Sequence, residues 1–111
     1  MFGNKMNKIA KYSGKGDADK LVGFLNDRKE DVRLAAIDAL GKCSGDTPFN
    51  AVVPLIHNPD AAVRIHAAGA LCSLKQPRAR TYLEHQRALE KDAGVMKAID
   101  DALAHIQDDQ N

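Results

Sequence analysis

One nine-residue pattern occurs three times in this chain of 111 residues. It reads VRLAAIDAL at residues 32–40, VRIHAAGAL at residues 63–71 and VMKAIDDAL at residues 95–103. The copies follow one another at a nearly constant spacing, and apart from His66 each has apolar residues at positions i, i+3, i+4, i+7 and i+8. This pattern is typical of an α-helix with one buried face. A repeat at this spacing indicates stacked two-helix units that share a continuous core.

A second apolar stripe precedes each of the first two copies, at the same distance from the copy that follows: Leu21, Phe24 and Leu25 in the first, and Val52, Leu55 and Ile56 in the second. Between the stripes, Asp27 aligns with Asn58, and both are predicted to be helix N-caps. Pro59 is predicted to lie in the first helical turn, and Asp27 with Glu30 fits a capping box. The repeating unit is therefore helix A, a tight turn and helix B.

Towards both ends of the chain the pattern has fewer matches. The pair Ser13-Gly14 aligns with Ser44-Gly45, so residues 2–16 are predicted to form a half repeat with a B helix alone. Full repeats follow at residues 17–45, 46–76 and 77–107, with a tail at 108–111, all within one domain spanning 1–111. The last A helix has only three large apolar residues, Tyr82, Leu83 and Leu89, as expected of a polar end cap.

The sequence thus predicts an all-α protein, an α-α superhelix of one half repeat plus three helix-turn-helix repeats. Seven helices are expected, near residues 3–12, 18–26, 28–43, 48–57, 59–75, 78–91 and 93–107.

The composition limits the function classes. The formal net charge is only +1, which argues against a general nucleic-acid-binding protein. No apolar run approaches the length of a membrane span, about 18 residues, and the first residues lack the apolar run of a signal peptide. Cys43 and Cys72 are too few for a disulfide scaffold. We therefore expect a cytoplasmic monomer with reduced thiols and no membrane contact.

Two segments resemble the short HEAT repeats of the bilin-lyase-like (PBS lyase) subfamily. They are NDRKEDVRLAAIDALGKCSGD at residues 26–46 and HNPDAAVRIHAAGALCSL at residues 57–74. The pattern of that subfamily is Asp-Pro before Val-Arg, then paired alanines, then Ala-Leu-Gly. Here Val-Arg and the paired alanines occur in both segments, Asn58-Pro59 stands in place of Asp-Pro in the second, and Ala-Leu-Gly occurs in the first. The resemblance covers roughly residues 17–107, and the period of 31–32 is shorter than the roughly 40–47 residues of ordinary HEAT units. It implies a HEAT-like α-solenoid, an ARM-like superhelix whose usual role is protein binding.

Arg33 and Arg64 follow the buried valine in the first two copies, and Met96 stands at this position in the third. The resemblance implies that this arginine pairs with an acidic residue near the turn between helices and forms a structural ladder along the stack. Each arginine could instead pair with an acidic residue of its own helix, because Glu30 lies three residues before Arg33 and Asp60 lies four residues before Arg64. Direct contact of these arginines with a ligand is a further alternative.

No residue pattern indicates catalysis, a metal or a cofactor. The histidines at 57, 66, 85 and 105 form no HxxxH pair, and none is followed by the glutamate that the HEAT-like di-iron enzyme deoxyhypusine hydroxylase places after its metal ligands. His66 lies on the apolar face and is predicted to be a core histidine, and both cysteines are predicted to be packing residues. We therefore expect no enzyme activity, no catalytic residue, no metal and no cofactor.

In stacks of the HEAT type the B helices line the concave face, which is the usual binding face. The positions just outside the buried stripe form two rows: Leu34, Ile65 and Lys97, and Asp38, Gly69 and Asp101. Large aliphatic residues at Leu34 and Ile65 predict an exposed apolar strip for a partner helix or peptide, and an extension of the core is the alternative. The expected function is non-enzymatic protein–protein interaction, as a scaffold or adaptor.

Two other functions remain open at this point. One is an accessory subunit of a cofactor-handling or protein-modifying enzyme, as the bilin-lyase resemblance implies. The weaker alternative is a nucleic-acid-binding HEAT protein, because HEAT-like DNA glycosylases use a basic groove lined with aromatic residues. The five aromatic residues of this chain are instead scattered along its length.

Overall fold

The computed structural model describes residues 3–106, which form seven α-helices and no β-strand. The helices are α1 (Gly3–Gly14), α2 (Ala18–Val22), α3 (Glu30–Leu40), α4 (Asp46–Val52), α5 (Ala61–Leu74), α6 (Ala79–Leu89) and α7 (Ala93–His105), and a 3₁₀ helix (Val53–His57) continues α4. The prediction of an all-α protein is confirmed. Parts of three predictions lie outside the described residues. They are residue 2 of the half repeat, residue 107 of the last expected helix, and the tail at 108–111.

The helices lie in two layers. The B layer contains α1, α3, α5 and α7, which contact one another in chain order. The A layer contains α2, α4 with its 3₁₀ helix, and α6. The helices α2 and α4 each pack on the B helices before and after them, and α6 packs on α7 and on the 3₁₀ helix. The Cα atoms extend over 43 × 29 × 17 Å, and the shortest dimension fits two layers of helices. This alternation of layers along the chain is the arrangement of a helical solenoid.

The repeated stripe forms the core between the layers. The buried residues of the B helices include Val32, Ala36, Ile37 and Leu40 in α3, Val63, Ala67, Ala68 and Leu71 in α5, and Val95, Ile99 and Ala102 in α7. Small residues bring α3 and α5 into backbone contact at one point. A Cβ atom on Gly41, which ends α3, would lie only 3.0 Å from Cα and 3.1 Å from Cβ of Ala70. Glycine is therefore required at this position by the close approach of two helices.

The A helices of the first two repeats change geometry at the same repeat position. Gly23 occupies this position in the first repeat, and Pro54 occupies it in the second. After α2, three hydrogen bonds of the i→i−3 type carry the chain to Asp27. In the second repeat, Pro54 has no N–H to donate to the carbonyl four residues earlier, and α4 passes into the 3₁₀ helix. The helices predicted at 18–26 and 48–57 are thus short α-helices followed by tighter turns.

The cap of α5 differs from the predicted one. Asp60 is the N-cap, and its side chain accepts a hydrogen bond of 2.9 Å from the N–H of Ala62. Asn58 lies two residues earlier, where its Oδ1 accepts a hydrogen bond of 2.9 Å from the N–H of Asp60. This local ring holds Pro59 outside the helix. The prediction that Asn58 caps the helix and that Pro59 lies in its first turn was therefore wrong.

The first repeat has the same turn. Asp27 Oδ1 accepts a hydrogen bond of 3.0 Å from the N–H of Lys29, and α3 begins only at Glu30. Asp27 is therefore not the N-cap, and the predicted capping box between Asp27 and Glu30 does not form. Lys5 of α1 also bonds to Asp27, with 2.7 Å between Nζ and Oδ2. The turn thus connects the first helix to the rest of the stack.

The last A helix buries polar residues. Along α6 and just after it, the inward positions are Ala79, Leu83, Gln86 and Glu90. Tyr82 and Leu89, which the sequence analysis counted among the apolar residues of this helix, are 45% and 60% exposed. Of the three large apolar residues of this helix, only Leu83 is buried. Two of the four buried residues, Gln86 and Glu90, are polar.

Arg80 of α6 closes the end of α7. Its Nη2 donates hydrogen bonds of 2.9 Å to the carbonyl oxygen of Leu103 and 2.7 Å to that of Ile106. The last carbonyl groups of a helix have no partner within the helix. A side chain of the preceding helix thus satisfies them.

Candidate interaction surface

The outward side of the B layer carries most of the residues that the sequence analysis assigned to partner binding. Four of those six side chains or positions are exposed: Asp38 on α3, Gly69 on α5, and Lys97 and Asp101 on α7. We call the outward side of α3, α5 and α7 the B-layer face. Its exposed residues come from three successive repeats, which is the geometry that a long partner segment needs.

Leu34 and Ile65 are placed differently. Both are half-buried and pack against the core. A Cβ atom on Gly94 would lie 3.3 Å from Cδ1 of Ile65, so Ile65 reaches the first turn of α7. These side chains extend the core towards the joints between helices, and the exposed apolar strip expected at these two positions is not present.

A groove lies between α3 and α5 on the B-layer face. It has a volume of about 370 Å³ and is lined by Asp38, Lys42, Gly69, Ala70 and Ser73. Gly69 lines the groove, and a Cβ atom added there would meet no other atom within 4 Å. The groove is thus open, about equally polar and apolar, and large enough for one or two side chains of a bound segment.

A hydrogen bond joins the two helices that form the groove. His66 Nδ1 on α5 lies 2.8 Å from Asp38 Oδ1 on α3. His66 was predicted to be a core histidine, but its side chain is 34% exposed. The acidic residue on the neighbouring helix gives the imidazole a polar partner at the surface. Because both groups contact solvent, this bond can be exchanged for bonds to a partner at little cost.

The part of the B-layer face on α7 is also polar. Lys97 Nζ lies 3.0 Å from Asp101 Oδ2, one turn away on the same helix. His105 Nδ1 lies 2.7 Å from the carbonyl oxygen of Asp101. Charges of both signs alternate over short distances, so the face is suited to a polar segment that carries both signs.

Aromatic side chains are absent from α3, α5 and α7. Tyr12 pairs with Phe24, and Phe49 pairs with Tyr82 and lies under the Arg78 guanidinium at 4.0 Å. Proteins that bind single-stranded nucleic acid need aromatic rings free for base stacking together with an excess of cations. The B-layer face offers neither.

A buried polar network lies at the opposite end of α5, near the turns. Arg64 donates from Nε and Nη2 to the two carboxylate oxygens of Glu90, both at 3.0 Å. Gln86 donates to Glu90 at 3.0 Å, and its Oε1 lies 2.8 Å from Nδ1 of His57. Burial raises the pKa of Glu90, but the hydrogen bonds from Arg64, Gln86 and the Asp92 N–H outweigh it and lower that pKa to about 2.

Both arginines of the repeat also close the turn of their own repeat. Nη1 of Arg33 donates to the carbonyl oxygens of Asp27 and Arg28, at 2.7 and 3.2 Å. Nη1 of Arg64 donates to those of Asn58 and Pro59, at 2.8 and 3.0 Å. Across residues 3–106, neither arginine forms the local side-chain hydrogen bond to an acidic residue of its own helix start that the sequence left open.

The acidic residues at the two helix starts contact each other instead. The carboxyl group of Glu30 shares a hydrogen bond with that of Asp60, which raises the pKa of Glu30 and lowers the pKa of Asp60. The second bond that lowers the pKa of Asp60 comes from the N–H of Ala62. The two carboxyl groups therefore share a proton more readily than separated groups do.

Glu90 is a residue that the sequence analysis missed. It lies two residues before Asp92, the N-cap of α7, just as Asn58 lies two residues before the N-cap Asp60. Aligning the two caps therefore pairs Glu90 with Asn58 and would have identified Glu90 as the partner of the preceding arginine.

The described part of the chain contains no group of three or more His, Cys, Asp and Glu residues placed to hold a metal ion. Both cysteines are free. Cys43 is buried, and its Sγ lies 3.5 Å from the carbonyl oxygen of Ala39. Burial, with a smaller contribution from Asp17, raises the pKa of the Cys43 thiol, which makes it a poor nucleophile at neutral pH.

No helix within residues 3–106 combines the length and the apolar character needed to cross a membrane.

Comparison with known proteins gives the same repeat class. The family model described as HEAT repeats matches residues 18–109, which covers most of the chain and includes α2 to α7. No curated protein matches the sequence. With its two layers of alternating helices and this match, the chain belongs to the HEAT repeat family.

Proposed function

We propose that this protein is a non-enzymatic interaction module that binds a segment of a partner protein across the B-layer face. HEAT repeats commonly mediate protein–protein interaction. The observation that carries the proposal is the groove between α3 and α5, because it lies open on the face that three repeats share. Its partner is an extended or helical segment that carries both charge signs.

The contacts available on this face define the partner further. Lys42 can bind a carboxylate, Asp38 can bind a cation after exchanging its bond to His66, and Gly69 leaves room for a side chain. On α7, Lys97 and Asp101 offer the same pair of charges one repeat further along. Leu34 and Ile65 support the face from below without contributing an exposed apolar strip.

We also propose a subfamily for the chain and bounds for its repeats. We place the chain in the short-repeat subfamily that resembles bilin lyases, because its repeats are shorter than ordinary HEAT units. We divide it into a half repeat at 2–16 and repeats at 17–45, 46–76 and 77–107, which is supported by α1 contacting both α2 and α3. The Arg64–Glu90 pair supports a structural ladder between the second and third repeats, whereas Arg33 bonds to the carbonyl groups of its own turn.

We also propose that the protein acts in the cytoplasm as a monomer without a cofactor. The two free thiols support the compartment. Among the described residues the exposed large apolar side chains are Met6, Tyr82 and Leu89, on α1 and α6. These offer little apolar area compared with the more than about 2,000 Å² that obligate dimers bury.

The test fills the groove without disturbing the fold. Gly69→Lys places a long side chain in open space, so the fold should be retained while partner proteins captured from lysate of the source cells fall at least tenfold. Thr81→Lys, on the exposed side of α6, adds the same charge on the other layer and should capture as the unmodified protein does. Equal capture by Gly69→Lys and Thr81→Lys would show that the partner does not use the groove.

A further inference from the structure

The two arginine positions of the stack differ in one respect. Arg64 uses Nη1 on the carbonyl groups of its turn and its Nε and Nη2 edge on a carboxylate. Arg33 uses Nη1 in the same way, but within residues 3–106 its Nε and Nη2 form no hydrogen bond. This edge of a guanidinium is the one that binds a carboxylate through two parallel bonds, as it does in Arg64.

The difference arises from one residue. Glu90 supplies the carboxylate for Arg64, and Asn58 occupies the equivalent place opposite Arg33. Asn58 is shorter by one methylene group and carries no charge. Its Oδ1 is already bonded to the N–H of Asp60, as Glu90 Oε2 is bonded to that of Asp92. The two repeats therefore share the turn, while the ion pair is not formed in the first.

A cavity of about 160 Å³ lies where the missing carboxylate would be. Its polar side is formed by Arg33, Asn58 and Asp60, and its apolar side by Leu25, Ile37 and Leu55. An engineered cavity of about 150 Å³ in another protein holds one benzene molecule, so a group of four to six carbon atoms fits this volume.

We propose that this cavity binds the carboxylate of a short branched aliphatic acid, with the carboxylate on the Nε and Nη2 edge of Arg33 and the aliphatic part against Leu55 and Ile37. The acid is either a free small molecule or the last residue of a polypeptide. This site lies at the turns between layers, away from the B-layer face, so it goes beyond the proposed function and its test is independent.

The charged groups that face the cavity permit an anion. Asp60 is the only carboxylate among its lining residues, and it is bonded to the N–H of Ala62 and to the Glu30 carboxyl group. Both carboxyl groups also attract Arg33 electrostatically, but neither forms a hydrogen bond to its Nε or Nη2. An N-cap aspartate does not prevent a carboxylate from binding the arginine nearby. At Arg64, the carboxylate of Glu90 is bound although Asp92, the N-cap of α7, lies only two residues further on. The N-terminus of the 14-residue helix α5 adds positive potential nearby.

The first experiment titrates the full-length protein with three probes and follows backbone amide and Arg33 Nε resonances by NMR. The probes are 4-methylpentanoate, N-acetyl-leucine and N-acetyl-leucinamide, which has the shape of N-acetyl-leucine without the charge. We expect a Kd of about 1–10 mM for at least one acid and binding of the amide at least tenfold weaker. N-acetyl-leucine binding more tightly indicates a polypeptide C-terminus as the source, and 4-methylpentanoate binding more tightly indicates a free acid.

The second experiment supplies the carboxylate from within the chain. Asn58→Glu should reproduce the Arg64–Glu90 pair at Arg33, keep the fold, and weaken binding of the acid at least tenfold. Asn50→Glu, at an exposed position on α4, adds the same charge elsewhere and should bind as the unmodified protein does.

The proposal is overturned if neither acid shifts the resonances around the cavity, or if the amide binds as well as the acids. It is equally overturned if Asn58→Glu leaves binding unchanged. The Gly69→Lys variant, which tests the groove, should not alter the Kd of the acids, so the two sites succeed or fail separately.

Discussion

Arg64 and Glu90 lie 26 residues apart in the sequence and are joined by two hydrogen bonds of 3.0 Å each, from Nε and Nη2 to the two carboxylate oxygens. The side chain of Glu90 is 2% exposed and that of Arg64 16%. The same guanidinium holds the carbonyl groups of the preceding turn. Arg64 therefore connects the turn of the second repeat to the turn of the third.

Removing the charge of Glu90 should be costly. In Glu90→Gln the guanidinium of Arg64 loses its carboxylate in a site with little access to water, and one bond from Gln86 is weakened. We expect a loss of about 3 kcal/mol in the free energy of unfolding, measured by urea denaturation. Glu84→Gln, at an exposed position on α6, should change it by less than about 0.5 kcal/mol. A similar small change for Glu90→Gln would contradict the assigned role of the pair.

The same pair predicts how stability depends on pH. The pKa of Glu90 in the folded protein is about 2, below its ordinary value of 4.5, so the folded state holds the ionised form. Its contribution is complete above about pH 4.5 and is lost as the pH falls from there towards 2. Urea denaturation at several pH values should therefore show unmodified protein losing more stability over this interval than Glu90→Gln does. Parallel curves would show that Glu90 does not titrate with a lowered pKa.

Two glycines should respond to alanine with opposite signs. A Cβ atom at Gly41 would press on the backbone of Ala70, so Gly41→Ala should destabilise the protein by about 1–3 kcal/mol. At Gly69 a Cβ atom meets open space, and Gly69→Ala should stabilise α5 by about 0.5–1 kcal/mol. Thermal melts of the two variants decide the matter, and equal shifts would argue against the close approach of α3 and α5.

Glutamate substitutions at Leu34 and Ile65 test whether these side chains pack against the core or form an exposed binding strip. Because both side chains are half-buried and pack against the core, a charge at either position should cost about 1–3 kcal/mol. Lys97→Gln, at the exposed position equivalent to them in α7, loses only a surface ion pair with Asp101 and should cost less than about 0.5 kcal/mol. If Leu34→Glu and Ile65→Glu leave the melting temperature unchanged, the side chains of Leu34 and Ile65 are exposed to solvent.

The B helices were the most predictable part of the molecule. Their buried faces follow from the positions of valine, alanine and leucine in the nine-residue pattern, because these contacts repeat at a fixed spacing along the chain. The turns were less predictable. Asp27 and Asn58 are good N-cap residues, but their side chains bond to the amide two residues on and delay the start of the helix.

The polar contacts between repeats were harder to derive. The Arg64–Glu90 pair depends on the fit of the third repeat to the second, where the spacing of the copies differs from that between the first and the second. The exposed positions on the B-layer face followed from helical geometry, as for Asp38 and Gly69. Helical geometry could not show that Ile65 would be covered by the first turn of α7, because that depends on how closely the two helices approach.

The contact between Gly41 and Ala70 has a mechanical consequence. Any atom added at Gly41 would push α3 and α5 apart, so this glycine sets the distance between the two helices at the last turn of α3. Because α3 also packs on α1, α2 and α4, its orientation is fixed by several neighbours and not by this joint alone. A side chain added in the open space at Gly69 should therefore leave the far end of α3 in place, and we expect Gly69→Lys to leave the Arg33 Nε resonance unchanged.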